Sequence, residues 1–488
     1  MMRRPLALPA LLAFSLAAAP ANASIFEPLP PRVQAVLESA GPGTRFGLVV
    51  ADEDGREIVA IAPDERFAPA SNTKLFTTAA AYSLLAGIDR PDSDGGAAVR
   101  LEERRGRAPA VVLEGHGDAR LSSAPDCVVD CLSALADAVA AKTRRVSAVI
   151  GDDSAFPDQR WGPGMSWEDM ETRYGTAASA LTLDDNELAL TVSPAAPGQA
   201  PKVEGLGYYR LDNRALTATS GNADLSYARP PGSDVVRLSG TIAAGAEPAT
   251  VRLGIEDPAH YAAWRLKGLL EARGVSVTGN VAVRHRPAGP ADDPARRGTA
   301  PPPRPPASEP LARLTPPPLA EDVRLTNKVS QNLHAELLLR RVGRVAGTGS
   351  IEDGLAALRG MLAGAGVERW RFDFSDGSGM STYNRVSPRA TVALLRWAAE
   401  QPWGAAWRSS LPVAGADGTL ARRFRGTPLE GKLFAKTGTL RVASALSGYM
   451  VARSGRTLIF SIYANDMPEG SRATPAMDEA LALIASEN

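Results

Sequence analysis

Strand-forming sequence lies at the two ends of this chain, and any fold it adopts must bring those ends together. RFGLVVADEDGREIVAIA, from Arg45 to Ala62, reads as two strands joined at Asp54-Gly55. GKLFAKTGTL, ALSGYMVARSG and RTLIFSIYAND, between Gly431 and Asp466, read as a three-stranded meander. The stretch from Thr474 to Ser486 reads as a closing helix, with Thr474 as its N-cap and Pro475 as its first helical residue. One sheet built from both termini would set the helix that follows the first hairpin, with Leu75, Phe76, Ala79, Ala80 and Leu84 on it, beside the last strands.

Everything between is then insertion plus a helical lobe. Residues 93–285 alternate short strands with turns and include helices expected at Cys127–Lys142 and Pro258–Arg273. Residues 191–255, rich in Gly, Ala, Pro and Thr and carrying DVVRLSGTI, read as a small nested β module. Residues 287–318 hold Pro-rich, charged tracts of linker composition, including the run from Pro301 to Pro306. From Asp322 to Gln401 the pattern is helical: NLHAELLLRRV, GLAALRGMLAGAG and SPRATVALLRWAAE.

At 488 residues the chain is long enough for two or three domains. Lys plus Arg and Asp plus Glu both number 54, so no basic excess calls for nucleic acid or an anionic membrane surface. The N-terminus reads as an address. Met1 to Arg4 is basic, Pro5 to Ala19 is apolar, and Ala21-Asn22-Ala23 is a cleavage site, so secretion to the periplasm or beyond is expected, with cleavage after Ala23. No later segment has the ~20 apolar residues of a membrane span, and no amphipathic anchor follows the last helix, so membrane association is expected to be loose at most. Homo-oligomerisation stays open. Cys127 and Cys131 are expected to be a local staple or two buried thiols. Two Cys and four unclustered His make a zinc enzyme unexpected. His116 and His334 are read as structural.

The chemistry starts at Ser71. A hydroxyl needs a base to become a nucleophile, no His stands at a suggestive motif, and the G-x-S-x-G elbow is absent. Lys74, three residues on, shares a helix face with Ser71. Holding a lysine neutral near pH 7 costs roughly 4 to 5 kcal/mol, which burial and a second cation could supply. The plain alternative is a capping serine and a solvated lysine. Two further motifs follow in order: Ser330-Gln331-Asn332, and Lys436-Thr437-Gly438 in GKLFAKTGTL. Ser220-Gly221-Asn222 and Ser486-Glu487-Asn488 also match S-x-N, but Ser330 opens an amphipathic helix and lies between the other two motifs.

S-x-x-K, S-x-N and K-T-G together mark penicillin-binding proteins and serine β-lactamases. The chain resembles the low-molecular-mass class C penicillin-binding proteins, the penicillin-binding protein 4 type of D-alanyl-D-alanine carboxypeptidase/endopeptidase. EGHGDARL, GPGMSWEDMETRYGTAASALTLDDNE, DPAHYAAWRLKGLLEARGVSVTGN and FSDGSGMSTYN extend the resemblance over nearly the whole mature chain. It implies an α+β fold: a split transpeptidase-like domain, an antiparallel sheet flanked by helices, with two nested inserted domains. These map to 24–92 with 308–488, then 93–190 with 256–307, then 191–255. It implies that Ser71 forms an acyl-enzyme and Lys74 takes its proton. Ser330 relays a proton to the leaving amine with Lys436 behind it, and Asn332 holds the peptide amide and restrains Lys74. Lys436, Thr437 and Thr439 receive the terminal carboxylate, and the N–H groups of Ser71 and Thr439 form the oxyanion hole. Gly438 lets substrate lie close. Peptidoglycan peptides are the implied substrates, β-lactam antibiotics the implied inhibitors, and no metal or organic cofactor is implied.

By the same resemblance, Asp169 and Tyr174 in WEDMETRYG would meet the free amino end of a diaminopimelate-type side chain, with Glu168 and Glu171 as rival carboxylates. Thr382 stands where some members carry an arginine, and Arg385 follows three positions later. A β-lactamase and a non-catalytic wall-binding module are the competing readings. The long insert argues against the first and three intact motifs against the second.

Overall fold

The computed structural model describes residues 29–205, 207–298, 300–302 and 309–488. The leader read over residues 1–23 lies outside these residues, as does part of the proline tract, Pro303 to Ser308.

The two chain ends do share one sheet. Its strands are β1 (Arg45–Asp52), β2 (Glu57–Ile61), β3 (Leu433–Leu440), β4 (Ala443–Val451) and β5 (Thr457–Asn465), in the order β3-β4-β5-β1-β2. Every pairing is antiparallel, with Val49 opposite Ser461 and Lys436 opposite Ser447. Side chains alternate between faces with a period of two, so each strand feeds two cores. Val49, Ala51, Tyr449, Ile459 and Tyr463 face a core shared with Leu75, Phe76 and Leu394. Leu48, Val50, Leu446, Phe460 and Ile462 face another, shared with Val33, Leu37, Met477 and Ile484. Each fully buried Val, Leu, Ile, Phe or Met among them contributes about 1.5–3 kcal/mol. The result is the expected α+β arrangement of an antiparallel sheet flanked by helices.

Helix α1 (Thr73–Leu84) runs through the first of these cores, and every residue from Thr73 to Ala81 is buried. Helices α2 (Asn332–Ala346) and α3 (Ile351–Gly364) pack beside it, with Leu338, Leu339, Leu355 and Leu358 in the same core. A second five-stranded sheet forms in the middle of the chain, in the order Val281–Arg284, Ala148–Asp152, Arg107–Glu114, Ala98–Arg104, Ala312–Arg313. Leu132–Lys142 and Pro258–Ala272 are the helices that pack with it. Short strands between Glu187 and Gly254 form two smaller sheets.

Three local expectations need correction. The helix expected from Cys127 begins at Leu132, because Cys127 and Cys131 are joined by a disulfide and Cys131 is extended as the N-cap. Thr474 is the first helical residue of Thr474–Glu487, not its cap, which is Ala473. Ser330 does not open α2 directly: Gln331 caps it, its side chain accepting from the N–H of Leu333. The helix Leu29–Glu38 escaped the reading altogether, although Pro30 and Pro31 at its start are favoured in a first turn.

Candidate active site

The turn that presents Ser71 is squeezed from two sides. Ala70 has φ +48°, a left-handed conformation that costs a non-glycine roughly 1–2 kcal/mol. Ser71 follows within the short 3₁₀ turn Ala70–Asn72, which runs into α1. On one side β3 passes so close that a Cβ on Gly438 would lie 2.6 Å from the Pro69 carbonyl oxygen. On the other, a Cβ on Gly379 would lie 1.9 Å from the Ala70 carbonyl oxygen. Only glycine fits at both positions, and Gly379 also has φ +92°.

Lys74 is fully buried. Its Nζ lies 3.0 Å from Ser71 Oγ, 2.6 Å from Asn332 Oδ1 and 2.6 Å from the Ser378 carbonyl oxygen. The last two groups can only accept. The ammonium can donate to all three, whereas the neutral amine, with two N–H donors and one lone pair, can keep Asn332 and Ser378 as acceptors and turn its lone pair to the Ser71 hydroxyl. Burial pulls the Lys74 pKa down to about 7, against the opposing charges of Asp376 and Glu336. That is the range a general base needs.

Lys436, also fully buried, donates to Ser330 Oγ at 2.9 Å and to the Thr437 carbonyl at 2.9 Å. Burial, and then the charge of Lys74, hold its pKa well below the usual lysine range. Ser330 itself has φ +64°. The Asn72 amide lies between the hydroxyl of Ser447 and the carbonyl of Lys436, which pins β3 to the Ser71 turn. Thr437 donates its hydroxyl to Thr419 at 2.7 Å, and Thr439 is exposed further along the strand.

So Ser71, Lys74, Ser330, Asn332 and Lys436, drawn from three distant segments, meet in one place, with Thr437, Gly438 and Thr439 along its edge strand. Asn332 Nδ2 also donates to the Tyr174 carbonyl at 2.8 Å, which ties the 161–175 segment to the site. Asn332 and Tyr174 line a narrow cleft together with Trp161, Met165, Glu336 and Asp376. The Tyr174 ring is exposed, with the Arg173 guanidinium 5.4 Å from its centroid. Asp169 is half-buried, and burial together with the Glu168 charge raises its pKa. Glu168 is exposed, while Glu171 accepts from the Arg229 N–H at 2.5 Å. Thr382 bonds to the Gly164 carbonyl, and Arg385 donates to the carbonyls of Thr382 and Asn384. Among the described residues no group of three His, Cys, Asp or Glu side chains is placed to hold a metal ion.

Sequence reasoning singled out neither Glu336 nor Asp376. Glu336 Oε1 accepts from the N–H groups of Gly377 and Ser378 at 3.0 and 2.9 Å. Asp376 accepts from Gly379 N at 2.9 Å and from Ser381 N and Asn384 Nδ2 at 2.6 Å each, and burial beside Glu336 pushes its pKa up to about 6. The signals were present: Glu336 lies four residues after Asn332 on the same helix face, and Asp376 opens D-G-S-G.

Known proteins bear on this geometry. A sequence model of the D-Ala-D-Ala carboxypeptidase 3 (S13) family matches residues 32–487. A D-alanyl-D-alanine carboxypeptidase of Actinomadura sp. (strain R39) is 36% identical over 501 residues, covering 98% of this chain and 88% of that protein. The D-alanyl-D-alanine carboxypeptidase DacB of Haemophilus influenzae is 23% identical over 73% of each chain. The crystal structure of penicillin binding protein 4 (dacB) from H. influenzae superposes with a TM-score of 0.78 at 20% identity, covering 93% of this chain and 98% of that one. The matched span takes in the segments that hold Ser71, Ser330 and Lys436, and the chain belongs to the D-Ala-D-Ala carboxypeptidase 3 (S13) family.

Proposed function

We propose that the chain is a serine D-Ala-D-Ala carboxypeptidase and DD-endopeptidase acting on peptidoglycan stem peptides, and that β-lactams acylate it at the same serine. The observation that carries this reading is Lys74: a fully buried amine whose Nζ lies 3.0 Å from Ser71 Oγ and is held by the Asn332 amide oxygen and the Ser378 carbonyl.

Ser71 attacks the carbonyl of the penultimate D-Ala while its proton passes to Lys74. The oxyanion forms between the N–H groups of Ser71 and Thr439, each typically worth about 3 to 4 kcal/mol of barrier. As the C–N bond breaks, Ser330, backed by Lys436, delivers a proton to the leaving amine. Lys436, Thr437 and Thr439 hold the terminal carboxylate. Water then hydrolyses the ester and Ser71 recovers its proton. Asp169 is the carboxylate we assign to the amino end of the stem side chain, because Glu171 is already engaged with the Arg229 backbone and Tyr174 beside it is exposed.

The chain divides into a catalytic part (24–92 with 308–488), an inserted part (93–190 with 256–307) and a nested module (191–255). Removal of residues 1–23 by a signal peptidase would leave the enzyme outside the cytoplasmic membrane. No described helix is long and apolar enough to cross a membrane.

The test is intact mass after benzylpenicillin, with Ser71→Ala alongside, and D-Ala release from a pentapeptide. A lasting penicilloyl adduct and D-Ala release, both lost in the variant, are expected. Rapid drug turnover would point to a β-lactamase. No adduct, no turnover and no D-Ala release would overturn an enzymatic role.

A further inference from the structure

Lys74 is held by the carbonyl of Ser378, in a loop that Asp376 braces from within through the N–H groups of Gly379 and Ser381. The 376–379 loop is also clamped by its neighbours. Glu336 Oε1 takes the N–H groups of Gly377 and Ser378. Thr77 of α1 donates to the Gly377 carbonyl at 2.7 Å. The second oxygen of Glu336 accepts from Arg340 Nη1 at 2.9 Å, one turn further along α2. Arg340 is 1% exposed, and its other terminal nitrogen donates to the Gln159 carbonyl at 2.7 Å, in the inserted part of the chain. Asn332, Glu336 and Arg340 thus form an i, i+4, i+8 stripe that runs from the base to the inserted segment.

The charges around Lys74 come from every element packed on it. Lys436 faces it from β3, Asp376 from the loop, and Glu336 with Arg340 from α2. Arg160, from the inserted segment, lines the same cleft but is engaged by Asp158, Asp257 and His285. Burial favours the free amine of Lys74, whereas Asp376 and Glu336 favour the ammonium form.

We propose that Glu336 is a positioning residue for acyl transfer. It holds the Ser378 carbonyl against Lys74, and its charge, balanced by Arg340, sets the pH at which Ser71 becomes nucleophilic. The inference rests on the functional reading above. It adds that the inserted segment, through Gln159 and Arg340, has a hand on the base.

The experiment is the pH profile of kcat/KM for D-Ala release, and of the second-order rate of benzylpenicillin acylation, for the wild type, Glu336→Gln, Arg340→Gln and Glu336→Asp. In Glu336→Gln a negative charge near the amine is gone, so the acid limb should move down by about one pH unit, with a plateau several-fold lower because the base is weaker. In Arg340→Gln the Glu336 charge is less balanced, so the limb should move up. Glu336→Asp keeps the charge but shortens the reach, so the limb should stay in place while the rate falls about tenfold or more. KM should change little in all three. A limb that stays put in both Gln variants, or moves the same way in both, overturns the tuning role, because a merely structural residue would change activity without opposite shifts. Circular dichroism checks folding; if Glu336→Gln does not fold, an Arg340→Gln limb that fails to move up overturns the tuning role. A wild type with no acylation and no D-Ala release is a different result: it would sink the functional reading itself and this inference with it.

Discussion

The amide oxygen of Asn332 lies 2.6 Å from Nζ of Lys74 and accepts one of its hydrogens. A neutral acceptor at this point fixes the amine without charging it. Asn332→Asp would put a carboxylate in direct contact. An opposite charge that close favours the ammonium form and raises the pKa by about 1–3 units. Acylation at pH 7 should fall by about 5- to 500-fold and recover partly as the pH rises, which stopped-flow acylation at pH 7 and pH 9 would show.

Lys74 also weighs on the stability of the fold. Its pKa is lowered from 10.5 to about 7, so the native state binds the proton less well than the unfolded chain does. The cost is fully present below pH 7 and shrinks as the pH rises from 7 towards 10.5. Lys74→Met keeps the length and removes the buried amine. It should abolish activity yet stabilise the protein by about 1–3 kcal/mol at pH 6, with the gain fading at alkaline pH. Thermal melts across that range would read it.

His334 carries the opposite sign. Burial acts to lower its pKa, but the carboxylates of Asp185 and Asp322 outweigh it and hold the imidazole at about 9. Asp185 Oδ1 lies 2.9 Å from Nε2. The stabilisation is fully present below pH 6.5 and is lost as the pH rises through 9. His334→Gln should cost about 2–3 kcal/mol at pH 6 and much less at pH 10. A loss independent of pH would mean that packing, not charge, is what His334 supplies.

Gly379 offers a steric test. With φ +92° and the Ala70 carbonyl 1.9 Å from where a Cβ would sit, Gly379→Ala must displace either the loop or the Ser71 turn. Destabilisation of about 2 kcal/mol or more and loss of acylation are expected. Gly360→Ala, on α3 with open space around its Cβ, should leave acylation unchanged and slightly raise the melting temperature.

The legible part of the site was the part whose chemistry demands particular residue types in a short span. Ser71 with Lys74, Ser330 with Asn332, and Lys436 to Gly438 were legible as an ordered set of three, since S-x-N alone also matches Ser220-Gly221-Asn222 and Ser486-Glu487-Asn488. β4 and β5 were legible as members of a meander, from short apolar segments broken by turns. What escaped depends on groups that meet only in space. Nothing in PASNTK announces the left-handed Ala70, because its strain is imposed by β3 and the 376–379 loop. Glu336 and Asp376 look like ordinary surface acids until burial brings them beside a buried lysine. The disulfide ring shortened a helix that periodicity alone would start at Cys127.

The order of the terminal sheet has a consequence for biosynthesis. β1 and β2 leave the ribosome first, yet β1 needs β5, and the Ser71 turn needs Gly438 of β3 at its side. Until residues beyond 457 have been made, the early hairpin lacks its central partner. The nucleophile therefore exists for most of translation without a base held in place, a proton relay or an edge strand. A chain interrupted before β3 has been made lacks the strand that lies against the Ser71 turn and should be inert.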